Sequence, residues 1–171
     1  MTALHALAEF GSTGAIGSLC CGARLNDIAV LLGEPHTIGR VSKRSRWPHL
    51  FSFGDVELCV CRCRRVTSMC LQTWRDTIDV PAPGSAIPAS HPGRITIAQV
   101  SSALAAINCA LEPVIKQPPG QMALQALSAG VTFTFTNSSG TEALLKAASV
   151  WTSSHECVAP ANDAPDDGFG A

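Results

Sequence analysis

Residues 54–62 read GDVELCVCR, and their alternation decides how the rest of the chain is parsed. Val56, Leu58 and Val60 fall on one side, and Glu57, Cys59 and Cys61 on the other. Successive side chains of a pleated strand point to opposite faces, so this pattern predicts a strand with one face buried. A second stretch, GVTFTFTN at 130–137, sets Val131, Phe133 and Phe135 against Thr132, Thr134 and Thr136. Half-buried strands of this kind belong to an antiparallel sheet.

Working outward, each strand is preceded by a helix-spaced segment. RLNDIAVLLGEP (24–35) places Leu25, Ile28, Ala29 and Leu32 on one stripe, with Gly33 and Pro35 ending it and Asn26 or Asp27 suiting its first turn. TIAQVSSALAAINCALEP (96–113) places Ile97, Val100, Leu104, Ile107 and Leu111 on a stripe behind Thr96 as N-cap, and it must stop before Pro113. Flanking strands are expected at 47–53 and 66–74 in the first half, and at 121–127 and 143–151 in the second. The last, TEALLKAASVW, also reads as a helix and is assigned to strand by analogy with the first half. TNSSGT supplies turn chemistry for the second hairpin. LHALAEF reads as a short opening helix and AIGSLCC as an extended lead-in. GSTGAIG (11–17) lacks the lysine and flanking strand of a phosphate loop and reads as a flexible entry.

A sheet with one apolar face must bury it, and the helices are the available cover. The expected fold is therefore α+β: a tandem repeat of helix plus three-stranded antiparallel β-meander, forming one continuous sheet of about six strands with helices on one face. The expected organisation is a first half at 1–79, a proline-rich linker at 80–94, a second half at 95–156 and a disordered acidic tail at 157–171.

The helix-then-meander unit used twice resembles the beta-lactamase inhibitory protein in architecture. The motifs LLGEP, FGDVELCV and SAGVTFTF, spread over roughly residues 4 to 151, are similar to those of small uncharacterised bacterial proteins with an immunity or inhibitor character. The resemblance implies a protein-binding role and carries over no binding residues.

Composition narrows the class. The 171 residues are 46% hydrophobic and 15% charged, with a net charge of −1, so no global electrostatic case for nucleic acid or membrane exists. The start carries no basic segment ahead of an apolar run, and no apolar stretch approaches the ~18 residues of a membrane span. The expectation is a cytoplasmic protein, with no membrane partner and its eight cysteines reduced.

Eight of the twelve Lys and Arg fall within 40–75, opposed there only by Asp55 and Glu57, a net +6 against −7 elsewhere. Arg40, Lys43, Arg44, Arg46, Trp47, Arg62, Arg64 and Arg65 are the candidate binding residues, for an acidic protein partner such as a cognate toxin. GRVSKRSRWPH is read as the loop that presents the first of them. No helix-turn-helix, RRM or zinc-finger signature supports nucleic acid, which stays a second alternative through the same segment.

ELCVCRCRR (57–65) sets cysteines two apart. Tetrahedral zinc sites usually draw paired ligands from tight turns spaced C-x₂₋₄-C, and no C-x-x-C is present. The comb is accordingly read as one face of a strand, with no metal, no cofactor and no catalytic residue assigned. Cys70 and His155 are the groups that could join a metal site, and the arginines could lower the Cys63 thiol pKa at an exposed turn. A small thiol- or metal-dependent enzyme or sensor is thus the first alternative. Asp55 and Glu57 could pair geometrically, but no third catalytic group accompanies them.

Overall fold

The computed structural model describes residues 2–43, 45–82, 85, 87–137, 142–152 and 155–157, with backbone alone at 45 and 46. Helix α1 (Ala3–Thr13) begins at Thr2, whose hydroxyl accepts from the His5 N–H, and ends at Gly14 in the left-handed conformation. The hairpin β1 (Ala15–Ile16) and β2 (Leu19–Cys20) leads into α2 (Leu25–Leu32). Strands β3 (His36–Ser42), β4 (Ser45–Phe53), β5 (Val56–Val60) and β6 (Val66–Gln72) follow. After the ribbon β7 (Thr77–Val80) and β8 (Ala89–Pro92) come α3 (Ile97–Ala105), β9 (Leu111–Pro113), β10 (Gln121–Ala126), β11 (Thr132–Thr136) and β12 (Leu144–Trp151). Thus 143–151 is strand, and GSTGAIG is no flexible entry: it is the last turn of α1, its cap and the start of β1.

The main sheet is antiparallel with strand order β3-β4-β5-β6-β12-β11-β10-β9. It has eight strands where the sequence predicts about six. Both additions are edge strands, which carry no buried alternation. His36, Thr37, Ile38, Arg40 and Val41 are all exposed in β3, so GRVSKRSRWPH is not a loop but a hairpin. In β9, Pro113 pairs with Leu124, a position an edge strand tolerates because one side needs no donor.

Leu25, Ile28 and Leu32 point from α2 into the core, as predicted. Helix α3 carries a full capping box, Thr96 with Gln99, but stops at Ala105 rather than running to Leu111. Asn108 adopts a positive φ of 56°, and the Cys109 N–H returns to the Leu104 carbonyl, so the chain leaves as β9. Ile107 is consequently exposed. Helix α1 packs against α3. A Cβ at Gly11 would stand 2.5 Å from Leu104 Cδ2 and 3.1 Å from Phe133 Cζ, so the close approach requires glycine there.

One hydrophobic core joins Phe10 of α1, Phe51, Leu58 and Leu71 of the first half, and Phe133 and Leu145 of the second. The opposite sheet face is small and polar. Across the strands it runs Ser52, Glu57, Cys70, Ser149, Thr132 and Gln125 in register.

The segment 80–94 is more than a linker: β8 pairs with β7 from Val80–Ala89 to Thr77–Pro92, and Ile78, Val80 and Ile95 belong to the core. Asp55 holds this ribbon to the β4–β5 turn. Its carboxylate accepts from the Asp79 N–H at 2.7 Å and pairs with Arg75 at 3.2 Å, while its own N–H donates to the Asp79 carbonyl. Glu57 instead lies on the open face beside Gln72, so the two acids do not form a pair. Replacing the buried Asp55 by alanine leaves the part-buried Asp79 N–H without its acceptor, and the unfolding free energy in urea should fall by about 1–3 kcal/mol. An unchanged urea midpoint would mean that the ribbon is held by its apolar side chains alone.

No helix among the described residues is long and apolar enough to cross a membrane. The second hairpin turn at 138–141, Arg44 and the tail from 158 onward lie outside the described residues.

Candidate metal centre and its basic rim

The cysteine comb does not stay on one strand face. Cys59 does lie on the open face, opposite Leu50 and Ser68. Strand β5 then ends at Val60, and Cys61 and Cys63 belong to the turn 61–65 that joins it to β6. Two backbone bonds shape that turn, Arg64 N–H to the Cys61 carbonyl and Cys61 N–H to the Arg65 carbonyl, both 2.9 Å. Arg64 takes the left-handed conformation, φ 62°. Along an extended strand the two thiols would stand nearly 7 Å apart; here their sulfurs are 2.7 Å apart.

The chain end completes the cluster. The Thr152 N–H donates to the Thr67 carbonyl, which carries β12 one residue further along β6 toward the turn. His155 Nε2 then lies 3.0 Å from Cys61 Sγ and 3.2 Å from Cys63 Sγ. Cys157 joins them, and the four ligand atoms all lie within 4.8 Å of one another. Cys70, considered from sequence as a possible fourth member, is on the open face next to Glu57 and takes no part.

The two turn thiols differ in acidity. Burial, reinforced by the hydrogen bond to Cys63, pushes the Cys61 thiol up to about 12. Burial opposes ionisation of Cys63 too, but hydrogen bonds from Cys61, the Arg65 N–H and Cys157 outweigh it and bring that thiol below its ordinary value. The donor set of three sulfurs and one imidazole suits a soft or borderline metal ion.

Around the cluster opens a pocket of about 610 Å³ lined by Arg24, Arg62, Arg64 and Arg65 together with Cys63 and His155. Asp27 and Glu156 also line it, so four guanidinium groups face two carboxylates. Position is set by the backbone: the Leu25 N–H donates to the Arg64 carbonyl, and Arg24 bridges to Arg65 as an isolated β-pair, fixing the start of α2 against the turn. Arg65 also donates to the Gly22 carbonyl. Arg64 stacks over the Trp47 ring at 4.9 Å, and Trp47 in turn tilts against His49.

The fold therefore gathers part of the predicted basic set. Trp47, Arg62, Arg64 and Arg65 meet at one end of the sheet. Arg40 on β3 and Lys43 in the β3–β4 turn lie at that same end but on the edge hairpin, outside the pocket. Arg46 sits on β4. Arg75 is elsewhere, ion-paired with Asp55 and stacked on Trp74 at 5.0 Å. Sequence reasoning missed Arg24 and Cys157. The signal for Cys157 was the matched spacing of Cys61-x-Cys63 and His155-x-Cys157.

Comparison with protein-family models, curated proteins and solved structures finds no match to this chain.

Proposed function

We propose that this chain is a non-enzymatic protein-binding module, immunity- or inhibitor-like, that takes an acidic protein partner at the basic end of its sheet. The observation that carries the reading is the convergence of arginines from two separate segments, Arg24 and residues 62–65, around one open pocket, with Trp47 braced beneath Arg64. Arginine and tryptophan dominate interface energy more often than other residues, and an ordered guanidinium loses less freedom on binding. Arg40 and Lys43 extend the positive end, and a cytoplasmic setting that keeps thiols reduced belongs to the same reading.

The duplication is part of the proposal. What supports it is that α2 and α3 are each followed by four strands of the main sheet, and that the strand order reads outward identically from the β6–β12 seam. Val56, Leu58 and Val60 on the third strand of one half match Val131, just before the third strand of the other, and Phe133 and Phe135 on it, all buried.

The test begins with co-expression alongside the products of adjacent genes, to find a partner. The double variant Arg24→Glu, Arg62→Glu alters two exposed pocket side chains and should weaken that partner by about tenfold to a hundredfold, with association slowing as salt rises. Equal affinity at an unchanged melting temperature would remove the pocket from the interface. Binding of oligonucleotides in place of protein would favour the nucleic-acid alternative.

A further inference from the structure

We infer that Cys61, Cys63, His155 and Cys157 form a tetrahedral zinc site that staples the segment after β12 to the β5–β6 turn. This goes beyond the partner-binding reading and does not depend on it. The residues are 92 to 94 positions apart in sequence, yet both thiols of the turn meet one imidazole nitrogen at 3.0–3.2 Å. Four soft or borderline donors converge within 4.8 Å among the described residues, and nothing in ordinary core packing requires that.

The dimensions fit a zinc ion after a small adjustment. With Zn–S at about 2.3 Å, tetrahedral sulfurs stand about 3.8 Å apart. The Cys61–Cys63 pair, at 2.7 Å, must open by about 1 Å. Cys63 is on a turn rather than in the ladder, so rotation of its side chain can supply that movement without breaking a strand pair. Three thiolates and one divalent ion leave one negative charge, and Arg62, Arg64 and Arg65 adjoin the site to balance it. Four protein ligands leave no open position, which marks a structural and not a catalytic centre.

The test is metal analysis of the full chain, expressed with zinc and purified with reductant but without chelator. About one zinc per chain is expected, retained in Cys59→Ser and Cys70→Ser and lost in Cys63→Ser and Cys157→Ser. Cys157 lies outside the core, so its variant should keep the native circular dichroism and still report on the ligand. Cobalt titration should give the intense visible absorption of tetrahedral thiolate coordination in the parent chain and not in Cys157→Ser. A folded parent that takes up neither metal overturns the site, as does metal retained in both Cys63→Ser and Cys157→Ser. A Cys61–Cys63 or Cys63–Cys157 disulfide that persists in folded, metal-free protein purified with reductant overturns it too. The arginine variants that test partner binding leave all four ligands in place, so the two readings fail separately.

Discussion

Phe133→Ala should lower the unfolding free energy by about 3–5 kcal/mol, the usual loss when a fully buried ring is cut to a methyl group. Phe133 is wholly buried on β11, between Leu124 of β10 and Ala148 of β12, and it contacts the closest approach of α1 at Gly11. The ring therefore links sheet, α1 and α3. Against a domain stability of about 5–15 kcal/mol, such a loss is large enough to read directly as a shift of the urea midpoint at constant slope. The control is one residue away. Thr134 faces the open side of the sheet, and Thr134→Val should change stability by no more than about 0.5 kcal/mol. Equal effects at 133 and 134 would mean that the two faces of β11 are not distinguished as described.

That contrast also explains which parts of the fold were legible. Alternation located β5 and β11 because each has one dry face, and helical spacing located α2 because Leu25, Ile28 and Leu32 share a stripe. Pattern fails where burial does not alternate. Strand β3 is exposed along nearly its whole length, so its sequence carries no alternation and reads as a loop. The stripe of α3 ran past the true end because Leu111 resumes apolar spacing in β9, and only the left-handed turn at Asn108 separates the two. The site was hidden for a related reason. Cys59, Cys61 and Cys63 look like one face of a strand, but the turn begins after Val60 and redirects two of the three. His155 and Cys157 are brought to them by the length and pairing of β12, which is tertiary information. Arg24 reaches the pocket through backbone bonds between the start of α2 and the turn, a contact that spacing along the chain does not signal.

Ala148→Glu should lower the unfolding free energy by more than about 4 kcal/mol, because it places a carboxylate at the seam where the two halves of the sheet meet. Ala148 is wholly buried and pairs with Leu71 of β6 on one side and Phe133 of β11 on the other. Among the described residues no Lys or Arg is buried. A glutamate there is both too large and without a hydrogen-bonding partner, and a loss above about 4 kcal/mol follows from overpacking and desolvation together. Ser149 is its neighbour on the open face, between Cys70 and Thr132, where the ammonium of Ser149→Lys can stay in water and the fold should survive. The reach of the damage carries the argument. Both halves contribute to one core, so the seam cannot open while either half stays intact. Leu58 on β5 reports on the first half and Phe133 on β11 on the second, and in Ala148→Glu the hydrogen-exchange protection of both backbone amides should fall together. A variant in which Leu58 keeps its protection while Phe133 has lost it would show two separable cores in place of one.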